Sequence, residues 1–127
     1  MSATVVNAED QLLINKFARL YQEQTQLKID IKTAENEVAN INEAGDEILL
    51  LDDADAASIP LQIGLTFIHF DSDTLNDRLE KLKSEAEEVL GVKKARIDQV
   101  SSEMDNIRKV LYGKFGDRIN LESEKDE

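Results

Sequence analysis

Asp52, Asp53 and Asp55 crowd one short stretch, Asp71, Asp73 and Asp77 crowd another, and the only histidine, His69, lies between them. Clustered carboxylates beside an imidazole are what a divalent cation or a general acid–base pair would use. The spacing suits neither. A calcium loop starting at Asp71 needs glycine at its sixth position and glutamate at its twelfth, where this chain has Asn76 and Leu82. After Asp55 no histidine, glycine turn or further carboxylate follows at ligand spacing, so that cluster reads as an acidic connector at a helix end. After the histidine, Ser72, Asp73 or Thr74 can cap a new helix, whose dipole favours acids in its first turn. With one His and no Cys, no Ser–His–Asp arrangement, thiolate metal site or disulfide can be assembled. GKFGDR at 113–118 lacks the Gly-Lys-Ser/Thr ending and the preceding strand of a phosphate loop. His69 sits in an apolar run and reads as a packed strand residue. The expectation is a protein that is not an enzyme and takes no cofactor or metal.

The elements around these residues are therefore the informative part. The 127 residues make at most one ordinary domain. Aromatics are 5% of the chain, with no Trp and one Pro, a composition that suits long helices better than a thick globular core. The net charge of −12 disfavours nucleic acid and anionic membrane surfaces as partners. It is uneven: residues 1–55 hold 12 acids against 4 bases, whereas 71–112 hold 10 against 8. The N-terminal stretch has neither a basic nor an apolar region of the secretory kind, and no window is long and apolar enough to span a bilayer. A soluble cytoplasmic protein is expected, with the nucleus left open as a second compartment.

In a chain one-third charged, AASIPLQIGLTFIHF at 56–70 carries no Asp, Glu, Lys or Arg. Pro60 and Gly64 oppose a helix. Ile59, Leu61 and Ile63 alternate before Gly64, and Leu65, Phe67 and His69 alternate after it, with Thr66, Ile68 and Phe70 on the opposite face. A hairpin turning near Ile63 and Gly64 follows, with both faces largely apolar. Two strands alone are marginal in water, and open apolar edges aggregate unless paired.

Two heptads flank it. The first runs Leu13, Phe17, Leu20, Gln24, Leu27, Ile31, Ala34, Val38, Ile41, Gly45, Ile48, with steps of four and three alternating throughout. The second runs Leu75, Leu79, Leu82, Ala86, Val89, Lys93, Ile97, Val100, Met104, Ile107, Leu111, broken at Val89–Lys93–Ile97 by two steps of four, a stutter that locally unwinds a supercoil. Each spans about 54 Å at 1.5 Å per residue. Antiparallel pairing of Leu13 with Leu111, Phe17 with Ile107, Leu20 with Met104 and Gln24 with Val100 keeps a constant sum of 124. The expected fold is mostly α: a long antiparallel two-helix coiled coil with a β-hairpin inserted between the helices, the hairpin joining strands of other chains. The expected bounds within a single domain 1–127 are helix 9–51, connector 52–57, hairpin 58–70, helix 73–115 and flexible tail 116–127. At the end away from the hairpin, Leu12, Ile14, Tyr112, Phe115, Ile119 and Leu121 exceed what the seam needs. They either cap the coiled coil or present an adhesive surface, with Gly116 as a helix stop.

Three stretches outside the heptads, EDQLLINKFA at 9–18, the DD…IPLQIG..FI pattern from Asp52 through Ile68, and LYGKFGDRINLE at 111–122, resemble β-class subunits of prefoldin, a hexameric co-chaperone. The resemblance covers nearly the whole chain. It departs from the family at Leu61, where Tyr is usual, and at Gly113, where Ala is usual. It implies a hexamer of two α-class and four β-class subunits joined through hairpins into an inter-subunit β-barrel. From the barrel, coiled-coil arms hold non-native proteins, actin and tubulin above all, and pass them to the cytosolic group II chaperonin without ATP. Carried onto this chain, it assigns subunit assembly to Ile59, Leu61, Ile63, Leu65, Phe67 and Ile68, and client binding at the arm tip to Leu13, Ile14, Phe17, Leu111, Tyr112 and Phe115. The alternative from the residues alone is a coiled-coil scaffold or adaptor without client-holding activity.

Overall fold

The computed structural model describes residues 6–116 and Leu121. The elements are α1 (Ala8–Leu49), α2 (Asp53–Ala56), β1 (Ile59–Ile63), β2 (Thr66–Phe70) and α3 (Ser72–Phe115). Two long helices separated by a hairpin is the architecture that the two heptads and the uncharged stretch imply. The four-residue α2 is an addition. Asp52 caps it by accepting from the Asp55 amide at 2.8 Å, so the acidic connector is a short capped turn.

The chain divides into two compact units, residues 1–31 with 92–127, and residues 32–91. In the first, antiparallel stretches of α1 and α3 enclose a core of Phe17, Leu20, Leu27, Val100, Met104, Ile107, Leu111, Phe115 and Leu121, with Leu13, Ile14, Tyr21, Ile97 and Tyr112 packed against it. Polar contacts fix its register. The Gln24 side-chain amide donates to the Ser101 hydroxyl at 3.1 Å, so this polar seam residue is satisfied across the helix pair. Arg96 grips Glu23 with two parallel bonds of 2.6 and 2.8 Å, and Lys93 reaches Asp30 at 3.6 Å.

The second unit holds the remaining helix stretches and the hairpin. Ile41, Gly45 and Leu49 of α1 line a common cleft with Leu79 and Lys83 of α3, so the two helices are neighbours here too. Its seam departs from the heptad. Leu82 is 50% exposed and Val89 equally so, while Lys83 and Leu90 are half-buried in their place. The inward stripe is Leu75, Leu79, Lys83, Ala86, Leu90, Lys93, Ile97, and the two consecutive steps of four fall at its start, between Leu75 and Lys83. The stutter is real but lies next to the hairpin instead of at Lys93. Val89 and Leu90 suit the pattern equally well, and only packing against α1 decides between them.

The hairpin pairs Ile59 with Phe70, Pro60 with His69, Leu61 with Ile68, Gln62 with Phe67 and Ile63 with Thr66. Gly64 and Leu65 form the turn. Gly64 has φ +62°, and among the described residues no residue other than glycine, Leu65 included, has positive φ, the signature of a type II′ turn with glycine first. Cross-strand partners share a face. One face is therefore Ile59, Leu61, Ile63, Thr66, Ile68 and Phe70, and the other is Pro60, Gln62, Phe67 and His69. The alternation in the sequence puts Leu65 in a strand beside Phe67, whereas the register puts it at the tip of the hairpin.

Candidate functional site

Each unit carries apolar surface that the chain leaves unsatisfied, and each is built by local chemistry. The hairpin is launched into α3 by Asp71, whose carboxylate accepts from the Thr74 amide at 2.7 Å while its carbonyl takes the Leu75 amide. The cap is thus Asp71, one position ahead of the Ser72–Thr74 group expected from sequence. The hydrogen bond from Thr74 holds the Asp71 carboxyl below the usual aspartate range. His69 contacts the Ser58 hydroxyl through Nδ1 at 3.1 Å on the exposed face, and Arg78 stacks over the Phe70 ring at 5.0 Å. His69 is thus an exposed strand residue with a serine neighbour.

The apolar face of the sheet and the first turns of α3 form an open groove of about 690 Å³. Leu61, Ile63, Leu75, Leu79 and Leu82 supply its apolar lining. Leu65 is fully exposed, Ile63, Phe67 and Ile68 are exposed, and Ile59 and Leu61 are half-buried. Among the described residues the sheet has two strands, so each strand has an outer edge with unsatisfied ladder groups. Leu49, Leu50 and Leu51 at the end of α1 are exposed as well, Leu50 at 85%. They were not singled out from sequence, although three consecutive leucines cannot all face one helical seam.

In the first unit, a capping box starts α1. The Asp10 amide donates to the Asn7 side-chain oxygen at 2.8 Å, and the Asn7 amide donates back to the Asp10 carboxylate at 3.0 Å. The same carboxylate takes two bonds from Lys114 Nζ, at 2.7 and 2.9 Å. Asp10 is the one buried charged residue among those described, 4% exposed. The lysine hydrogen bond first, then the Asn7 amide, hold its carboxyl below the usual range. This latch ties the start of α1 to the end of α3. The constant-sum pairing, extended by one layer past Leu13, would have brought Asp10 opposite Lys114.

The six tip residues named from the resemblance are brought together, but not on a free surface. Phe17, Leu111 and Phe115 are buried in the chain's own cluster, and Leu13, Ile14 and Tyr112 are half-buried. Exposed apolar groups here are Leu12 on α1 and Val110 on α3. α3 stops at Phe115, with Gly116 at φ +59°, the left-handed conformation that ends helices. Leu121 returns into the cluster, 4% exposed, and its amide donates to the Tyr112 hydroxyl at 3.3 Å. The expectation for Ile119 lies outside the described residues.

Among the described residues no three His, Asp or Glu side chains gather as a metal site, and no helix is long and apolar enough to cross a membrane. What the geometry offers is adhesion at the hairpin, an uncovered two-stranded sheet with its groove, while the apolar cluster at the helix ends is closed within the chain apart from the exposed Leu12 and Val110 beside it.

Comparison with known proteins agrees with that geometry. The family model described as prefoldin subunit matches residues 11–118. A probable prefoldin subunit 4 of Caenorhabditis elegans is 59% identical over 96% of this chain and 97% of its own length. Prefoldin subunit 4 of Homo sapiens is 36% identical over 94% of this chain and 89% of its own, and that of Saccharomyces cerevisiae is 27% identical over 94% and 91%. With the helix–hairpin–helix order, the matched heptads and these similarities together, the chain belongs to the prefoldin subunit family.

Proposed function

We propose that this chain is a β-class subunit of the hexameric prefoldin co-chaperone, which captures non-native proteins without ATP and passes them to the cytosolic group II chaperonin. The observation that carries the reading is the uncovered hairpin. Its apolar face, its groove and its two open edges leave an unmet demand for partner strands. Strands added edge to edge would complete the ladder and cover the groove. The partners are the other prefoldin subunits, two α-class and four β-class per hexamer. Ile59, Leu61, Ile63, Leu65, Phe67 and Ile68 form the assembly surface, joined by Leu49 and Leu50.

Client capture falls to the first unit, where Leu12, Leu13, Ile14, Val110 and Tyr112 offer accessible or half-accessible apolar groups beside the buried Phe17, Leu111 and Phe115. Burying one leucine-sized group is worth about 1.5–3 kcal/mol, too little for one arm to hold a client. Several arms on one barrel act together through effective concentration. Chemically unfolded actin and tubulin are the clients this reading names, and the cytosol is the compartment. The strong negative charge keeps the empty particle apart from its neighbours.

The test has two arms. Replacing Leu65 and Phe67 with Asp should abolish incorporation into the hexamer, since two carboxylates would have to be buried among partner strands. Replacing Leu12 and Ile14 with Ser should leave the hexamer intact and weaken its suppression of actin aggregation on dilution from denaturant. Normal incorporation of the first variant removes the hairpin from the assembly role. Unchanged suppression by the second removes the tip from client binding.

A further inference from the structure

The tip cluster is closed by a residue that the helices do not supply. Leu121, five positions beyond the stop at Gly116, is as buried as the seam residues and shares their cluster with Phe17, Leu111 and Phe115. Its backbone is engaged as well, the amide donating to the Tyr112 hydroxyl at 3.3 Å. A large aliphatic side chain in an apolar socket, with its own amide bonded to a tyrosine hydroxyl, is what an extended segment of another polypeptide would present at the same place. We infer that Leu121 is a built-in occupant of the tip socket, standing in for a client side chain and competing with it, and that Tyr112 recognises the backbone amide of whichever chain is seated.

This rests on the reading of the tip as the client site and deepens it. It accounts for the placement of Phe17, Leu111 and Phe115, which are sealed while Leu121 is seated and become available when it leaves. It also states what the socket takes: an extended segment with a leucine-sized or aromatic side chain and a free amide, which a non-native protein exposes and a folded one does not. Apparent client affinity is reduced by the fraction of sockets already filled. The empty complex thereby avoids presenting bare apolar tips.

The experiment compares complexes assembled with the full-length chain and with Leu121→Ser, titrated with labelled, guanidine-unfolded actin. Removing the occupant from one arm should lower the concentration for half-capture by about 3- to 10-fold, less than one leucine's full burial because other arms share the client. Leu121→Ile, which keeps the plug, should match the parent chain. A peptide of residues 116–127 added in excess to the unaltered complex should inhibit capture, and the same peptide carrying L121S should not. This arm does not depend on how the variant folds. Unchanged or weaker capture by Leu121→Ser, or equal inhibition by both peptides, overturns the proposal. If Leu12→Ser with Ile14→Ser also leaves capture unchanged, the tip is not the client site at all. If that pair weakens capture while Leu121→Ser does not strengthen it, only the plug is wrong.

Discussion

Leu82 and Leu111 both fall on the seam read from the sequence, yet the structure gives them very different surroundings, and the difference is measurable. Leu111 is fully enclosed at 0% exposure, whereas Leu82 is half open at 50%. Truncating leucine to alanine removes three carbons, about 2.4 kcal/mol of transfer free energy at ~0.8 kcal/mol each. At position 111 the whole of that is lost and a cavity is left in a packed cluster, so Leu111→Ala should cost about 2.5–5 kcal/mol. At position 82 half of the surface is already in water and solvent fills the gap, which halves the loss and removes the cavity penalty. Leu82→Ala should therefore cost about 1 kcal/mol, reduced slightly by alanine's better helix propensity. Urea unfolding of the full-length chain, followed by helical circular dichroism, gives both values if m is unchanged. Equal losses at the two positions would refute the shifted seam and return Leu82 to the α1–α3 interface. A matching pair of truncations, Val89→Ala and Leu90→Ala, should rank in the order the shifted stripe requires, with position 90 the more costly.

Other outcomes follow from single features. Gly113 lies in the last turn of α3, exposed, with open space around an added Cβ, so Gly113→Ala should stabilise by roughly 0.5–1 kcal/mol, read as a higher urea midpoint. Gly64 turns at φ +62°. Gly64→Val should cost about 1–3 kcal/mol of backbone strain and lower hairpin-dependent assembly, although its Cβ meets no neighbour. Asp10 has a carboxyl lowered in the folded state by Lys114 and the Asn7 amide, so the unfolded chain binds the proton more readily. Stability from this latch is present above the ordinary aspartate pKa and lost as pH falls through the lowered folded value. Asp10→Asn should therefore flatten the acid limb of a stability–pH profile, and an unchanged slope would show that the latch contributes nothing.

Much of this was legible in the sequence because long-range order here is one-dimensional. Two heptads and one uncharged stretch fix helix, hairpin and helix, since a coiled coil repeats one local rule and the pairing of Leu13 with Leu111 sets the rest. The rule fails where neighbouring residues fit it equally. Apolarity does not separate Val89 from Leu90, and it favours Leu82 over Lys83 although the long lysine stem at 83 can lie along the seam while its charge stays wet. Strand facing failed for a related reason. Placing the turn one residue early puts Leu65 in a strand, and a period of two turns any slip of one into a change of face. At the tip, the apolar surplus was visible but not its disposition. Leu121 reaches the core only after the break at Gly116, where no periodicity connects it to Phe17 or Tyr112. The Asp10–Lys114 latch joins residues 104 apart, beyond any local pattern but within the antiparallel pairing rule.

The claim that everything else depends on is that the hairpin is an assembly element. It is tested most directly by the native mass and composition of the particle recovered on this chain, tagged at its N-terminus, from its own cells. The account predicts a particle of roughly 90 kDa, about six chains of the 14.3 kDa class, containing five other small coiled-coil subunits. A homodimer, or a complex with one large folded partner, would contradict it and make the chain a scaffold whose helices, not its hairpin, find the partner.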